Sequence, residues 1–238
     1  MTDNKQSWSI VVFCYNEEGS VQKVLSDVEN TLSQMDIAAY EVVVVDDGSS
    51  DGSQTKIQEY IKGKSHFSFL PHSVNKGIGQ ALRTGYFNSK FENICAVPAD
   101  GQFDISELLP FSFVPDKTFV SFYRKENTTY SIARNILSQA NKVINKVFNG
   151  FYMLDVNWVK IYKRKAIVNL NLELQSSLVE SEICAKLILS GHECKEVVSK
   201  YLSRTSGVSK GASGKIVIQA VKDTYQLYKV LRKFRKKL

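Results

Sequence analysis

Histidine, cysteine and proline are scarce in this sequence, with three, four and four copies among 238 residues. His66, His72 and His192 are too dispersed to suggest a zinc site. Cys14, Cys95, Cys184 and Cys194 form no Cys-x-x-Cys, and three of them lie inside apolar runs. They are expected as reduced, largely buried thiols and not as a disulfide framework or a ligand set. Long apolar runs are missing too: Ile10–Tyr15 and Val42–Val45 are strand-sized and far too short to span a bilayer. The start, Met1–Ser9, is polar and has no secretory pattern. The chain is therefore expected in the cytoplasm, touching the cytoplasmic membrane face peripherally if it touches a membrane.

Positive charge is in excess. Lys and Arg number 31 against 24 Asp and Glu, a formal charge of +7, which favours anionic partners: nucleotides, phosphorylated lipids, an acidic membrane surface or nucleic acid. A 43% hydrophobic and 23% charged composition is that of a globular protein, and the length suits one sizeable α/β domain.

The first half alternates β-branched runs with helical periodicity. Ser9–Cys14, Glu41–Val45, Phe67–Leu70 and Asn93–Val97 read as strands, and Val21–Met35, Gln54–Ile61 and Gly77–Phe87 as helices. Such alternation implies parallel pairing in an open, doubly wound sheet, with ligands at the carboxyl ends of strands. Three strand exits are polar: Tyr15-Asn16-Glu17-Glu18, Asp46–Ser53 and Pro98–Asp104. In the second half, Phe119–Tyr123 and Asn157–Tyr162 read as strands, and Arg134–Phe148 and Val179–Leu189 as helices. Thr205–Gly214 reads as a mobile Ser/Gly loop, and Lys215–Leu238 as a helix with Val217, Val221, Tyr228, Leu231 and Phe234 on one side and Lys/Arg on the other. There is no internal repeat.

In Asp46-Asp47-Gly48-Ser49-Ser50-Asp51-Gly52-Ser53 the glycines permit tight turns, and the carboxylates can accept from ribose hydroxyls or a base. An ordinary turn capped by Asp51 or Ser53 explains the same residues. Two adjacent carboxylates at a strand exit are nevertheless costly without a ligand or donor. In Ala99-Asp100-Gly101-Gln102 a carboxylate and an amide oxygen two residues apart can reach one hard cation on a diphosphate; the plain alternative is a surface turn. Other nucleotide signatures fail. Gly77-Ile78-Gly79 is an incomplete dinucleotide loop, and Gly211–Lys215 lacks Walker spacing.

Tyr15-Asn16-Glu17-Glu18, Asp46–Ser53, Asn75-Lys76-Gly77-Ile78-Gly79-Gln80-Ala81 and Ala99-Asp100-Gly101-Gln102-Phe103 follow one another in an order and spacing that resembles the GT-A domain of family 2 glycosyltransferases. The branch resembled is that of dolichyl- or polyprenyl-phosphate sugar synthases, and the likeness continues through Arg124, Asp155 and Val179–Glu182 to Arg204–Lys210. It implies that Tyr15, Glu17, Asp46, Asp47 and Lys76 hold the donor nucleotide, and that Asp100 and Gln102 hold Mg²⁺ or Mn²⁺ on its diphosphate. It further implies an acceptor-phosphate site at Arg124, Arg134 and Ser138, and a closing loop that brings Arg204 and Lys210 to the pyrophosphate. Asp100, Arg124 and Glu182 become the catalytic candidates, with Glu182 acting as a base only toward a hydroxyl acceptor. One departure stands out: the family's Asp-x-Asp reads Pro98-Ala99-Asp100 here, which removes the first carboxylate and leaves a non-catalytic relative open.

The expected fold is α/β of the GT-A type, a mostly parallel central sheet flanked by helices, with the domain over 1–205 and a Ser/Gly loop and basic amphipathic helix over 206–238. The expected reaction is inverting sugar transfer from a nucleoside diphosphate sugar to polyprenyl phosphate. The alternatives are a saccharide or protein hydroxyl as acceptor, or a non-catalytic sugar-nucleotide-binding subunit. The basic face of the last helix is expected to meet an anionic membrane surface or a membrane partner protein, and no nucleic acid is expected.

Overall fold

A computed structural model describes residues 5–124, 152–203 and 214–238, with only the backbone given for 214–221. The expected helix Arg134–Phe148, the loop ahead of Gly214, and Arg134, Ser138, Arg204 and Lys210 lie outside the described residues.

Seven strands form one sheet: β1 (Ser7–Cys14), β2 (Ala39–Asp46), β3 (Phe67–Pro71), β4 (Asn93–Pro98), β5 (Thr118–Arg124), β6 (Lys160–Lys163) and β7 (Glu193–Ser199). Their spatial order is β3-β2-β1-β4-β6-β5-β7. β1 pairs in parallel with β2 and β4, β2 with β3, and β5 with β7; β6 alone runs antiparallel to its neighbours β4 and β5. β1 and β2 are near-continuous apolar runs because both faces of the central sheet are covered by helices.

The side-chain period of two divides each strand between two cores. On one face Ile10, Val12, Val42 and Val44 pack under α1 (Val21–Gln34), α2 (Ser53–Ile61) and a 3₁₀ helix (Ile105–Phe111). On the other, Val11, Val43 and Val45 pack under α3 (Ile78–Asn88), α5 (Val179–Leu189) and α6 (Gly214–Arg235), with a short α4 (Arg164–Val168) at the margin. The stripe expected on α1, Val21, Val24, Leu25, Val28 and Leu32, is buried throughout. Gly85 lets α3 settle onto β1, since a Cβ there would collide with the Val11 side chain.

Two differences from the sequence expectations have physical causes. The strand expected over Asn157–Tyr162 begins at Lys160, and residues 157–159 form the turn that enters it. β7 has no counterpart among the expected strands. Its sequence, Glu-Cys-Lys-Glu-Val-Val-Ser, carries three charges and reads as surface; it forms an edge strand by pairing with β5 over its whole length.

Candidate active site

Parallel strands present their carboxyl ends on one rim, and the four loops leaving β1, β2, β3 and β4 meet there. Asn16, at φ 54°, reverses the chain after β1, and Gly48, at φ 70°, does so after β2. A Cβ on Gly48 would strike the Val74–Asn75 backbone, so glycine is what allows the β2 and β3 loops to touch. The β1 and β2 loops are interlocked: Asn16 N–H donates to Ser49 Oγ (2.9 Å), Glu17 N–H to Ser53 Oγ (2.9 Å), Glu18 N–H to Asp51 (3.1 Å), and Ser50 N–H to Asn16 Oδ1 (2.8 Å). Ser20 Oγ donates to the Ala99 carbonyl at 2.7 Å, tying in the β4 loop.

The adjacent carboxylates have different tasks. Asp46 is fully buried and accepts from Ser49 N–H (2.9 Å), the Ser49 hydroxyl and Gln54 Nε2 (2.7 Å), so its charge fastens the turn into α2. Asp47, also buried, points the other way: it accepts from Lys76 N–H (2.9 Å) and Gly77 N–H (2.8 Å) and lies 2.7 Å from His72 Nδ1. It thus shapes the loop that opens α3, and His72 in turn is 2.9 Å from Thr84 Oγ1 on that helix. The Lys76 side chain is exposed and Tyr15 half-buried on this rim, while Glu17 is buried beside Ser20.

The β4 exit joins a second cluster. Asp100 accepts from Gln102 N–H at 3.0 Å, and Gln102 Nε2 donates to the Tyr201 hydroxyl. Leu202 N–H donates to the Gln102 carbonyl (3.0 Å) and Phe103 bridges to Tyr201, so the segment after β7 is laid along the β4 loop. Arg124, at the end of β5, grips Asp155 with Nε (2.7 Å) and Nη2 (3.1 Å), and its guanidinium lies 4.4 Å from the Trp158 ring and 5.7 Å from that of Tyr201. Arg124, Asp100 and Gln102 are therefore linked through one aromatic platform. A half-buried carboxylate beside an amide oxygen is a hard-oxygen donor set, suited to a cation that takes its remaining ligands from a substrate diphosphate and water. Among the described residues no three His, Cys, Asp or Glu converge as a self-sufficient metal site.

Glu182 lies in the protein interior. It is fully buried on α5; its oxygens accept from Glu173 N–H and Leu174 N–H (2.8 Å each) and from Lys186 Nζ at 2.6 Å. A carboxylate so occupied holds the 173–174 turn. Sequence reasoning missed His72, Trp158 and Tyr201. His72 carried a readable signal as a polar residue directly after a strand; Tyr201 became legible only once β7 was known.

The sequence profile of the family described as Glycosyl transferase family 2 matches residues 9–167, more than half of the chain. The chain is 32% identical over 108 residues to a poly-beta-1,6-N-acetyl-D-glucosamine synthase of Staphylococcus epidermidis, covering 45% of this chain and 24% of the synthase. It is 35% identical over 99 residues to the human dolichyl-phosphate beta-glucosyltransferase, covering 39% of this chain and 31% of that protein. The matches thus span only about a quarter to a third of these relatives' length. Glucosyl-3-phosphoglycerate synthase of Mycobacterium tuberculosis, solved with Mn²⁺, UDP-glucose and phosphoglyceric acid, superposes with a TM-score of 0.64 at 12% identity, over 95% of this chain and 79% of that one. The architecture is that of GT-A glycosyltransferases, and the profile match over both the donor-side loops and β6 shows that the chain belongs to glycosyl transferase family 2.

Proposed function

We propose that this protein is an inverting glycosyltransferase that moves a sugar from a nucleoside diphosphate sugar to polyprenyl phosphate. The observation that carries the reading is the meeting, on one rim, of the loops after β1 to β4 with the Arg124–Asp155–Trp158–Tyr201 cluster. The first group supplies backbone turns, Tyr15, Asp47 and Lys76 for a nucleotide; the second supplies a fixed cation for an anionic acceptor. Arg204 and Lys210 are assigned to the donor pyrophosphate, and Arg134 and Ser138 to the acceptor phosphate, on the family resemblance alone.

Mg²⁺ or Mn²⁺, when bound, would offset the charge developing on the leaving diphosphate. Asp100 and Gln102 would hold it, and the Tyr201 hydroxyl positions Gln102 by engaging the nitrogen end of its amide, which turns the oxygen end away from Tyr201. Arg124, braced by Asp155, orients the acceptor phosphate oxygen, which is already ionised and needs no base. A hydroxyl acceptor would need a base, and with Glu182 buried that base would have to be another carboxylate.

A thermal-shift panel of UDP- and GDP-sugars with and without Mn²⁺, followed by nucleotide release in the presence of short-chain polyprenyl phosphate, tests the reading. A metal-dependent shift with release only when the lipid phosphate is added is expected. No shift with any sugar nucleotide would sink it; a shift without release to any acceptor would leave a non-catalytic binding subunit.

A further inference from the structure

None of the residues assigned above to donor or acceptor lies on the side of α6 turned away from the sheet. Leu227, Val230 and Leu231 are buried against the core, and the one acid in this stretch, Asp223, is buried with them. What remains outside is cationic: Lys222, Lys229, Arg232, Lys233, Lys236 and Lys237 are all exposed, together with Tyr225 at 59% and Leu238 at 69%. Lys229 to Lys237 hold six cations in nine positions and no acid. Lys229 Nζ lies 4.4 Å over the Tyr225 ring, so an aromatic side chain sits among the charges at the surface. A protein needing only solubility would intersperse both signs; a one-signed face with exposed Tyr and Leu matches the headgroup region of an anionic bilayer.

The helix is also aimed usefully. Lys233 reaches Glu173 at 3.3 Å, and the loop bearing Glu173 runs on to Gln175 and Ser176, whose carbonyls lie against Gly79 at the start of α3. Arg83 of α3 donates to the carbonyls of Leu172 and Leu174 at 3.0 and 3.1 Å, fixing the same loop. The cationic end of α6 is thereby braced, through one short loop, against the helix whose amino end Asp47 organises.

We infer that the exposed face of α6 docks this protein on an anionic lipid bilayer through Lys222, Lys229, Arg232, Lys236 and Lys237, with Tyr225 and Leu238 entering the interface. The contact is peripheral, electrostatic in its main part and independent of bound donor. Among the described residues no helix is long and apolar enough to cross a membrane.

The test is flotation of the full chain with vesicles of neutral phosphatidylcholine alone or doped with phosphatidylglycerol, with K229Q/R232Q/K236Q/K237Q as the variant. The wild type should float with the anionic vesicles only, and lose that binding as salt rises past the range where the Debye length falls below about 8 Å. The variant should bind anionic vesicles about a thousandfold more weakly, four charges having been removed. Its thermal shift with sugar nucleotide should equal that of the wild type, which separates loss of docking from loss of folding or of donor binding. Equal flotation of wild type and variant, equal flotation on neutral vesicles, or binding to duplex DNA in preference to anionic vesicles at matched salt would each overturn the assignment.

Discussion

Replacing Glu182 by Gln distinguishes a buried structural carboxylate from a catalytic base. The wild-type side chain is 0% exposed and its ion-pair partner Lys186 is 2% exposed, and the two are 2.6 Å apart one helical turn from each other. Lys186 Nζ also donates to the Asn171 carbonyl at 2.6 Å, so the pair closes the loop entering α5 from both sides. Glutamine keeps one oxygen for the N–H groups of Glu173 and Leu174 but turns an NH₂ donor toward donors, leaving the ammonium of Lys186 buried without its counter-charge. Breaking one partner of a buried pair costs about 3–5 kcal/mol. For a domain of this size each kcal/mol lowers Tm by roughly 2–4 °C, so E182Q should melt about 6–20 °C below the wild type by calorimetry. Removing both charges with E182Q/K186M should recover part of the loss, since the stranded ammonium is then gone. A catalytic base would behave oppositely, with unchanged melting and collapsed turnover. If E182Q melts within about 1 °C of the wild type, Glu182 does not hold the 173–174 turn and its structural role is refuted.

Three further outcomes follow from the described geometry. Asp47→Ala strands the Lys76 and Gly77 N–H groups and His72, and should lower stability by about 2–4 kcal/mol in urea titrations, since each lost partner costs about 1–3 kcal/mol and the loop can relax toward water; it should also abolish the sugar-nucleotide thermal shift, and a loss below about 0.5 kcal/mol would refute the loop-shaping role. Burial pushes the thiols of Cys14 and Cys184 up to about 12 and that of Cys95 higher still, so a thiol reagent at pH 8 should leave these three unmodified in the native protein and label them only in denaturant. Burial raises the Glu29 carboxyl, but hydrogen bonds from Lys64, Tyr60 and His66 outweigh it and hold the group below its ordinary value of 4.5; a depressed carboxylate stabilises the fold above its unfolded value and loses that contribution as pH falls through the folded one, so the Tm gap between wild type and E29Q should be full at pH 6 and shrink on acidification below about 4.5.

The donor half was legible because its physics is local. β1, β2 and β4 are short apolar runs that end in polar loops, and that pattern marks parallel strands and their ligand-bearing exits without any knowledge of packing. The motif Asp46-Asp47 was readable as important, yet the division of labour between the two carboxylates was not. Which one fastens Ser49 and Gln54, and which one fastens the α3 loop, depends on a strand register that alternates them between faces. The burial of Glu182 was hidden for a related reason: a Glu early in a helix looks the same in sequence whether it faces solvent or Lys186. β7 and its exit residue Tyr201 were hidden because an edge strand can be charged, and its identity rests on pairing with β5, some 75 residues earlier in the chain.

The reversed strand β6 has a consequence for how such a protein diversifies. Because β6 runs against its neighbours, the residues that precede it, Asp155 and Trp158, arrive at the same rim that the parallel strands approach with their carboxyl ends. The rim is thereby assembled from two uninterrupted stretches of sequence. Residues 7–104 carry the loops assigned to the nucleotide, and residues 118–203 carry the cluster assigned to the acceptor. At the rim the two meet at Gln102 with Tyr201 and at Phe103 with Tyr201, while beneath it they share the β4–β6 ladder and contacts such as Tyr86 with Glu180 and Arg83 with the 172–174 loop. Change confined to the rim residues of the second stretch leaves the first stretch's loops and the shared core intact, whereas exchange of the whole stretch would remove the β4–β6 ladder and strip α3 of its packing.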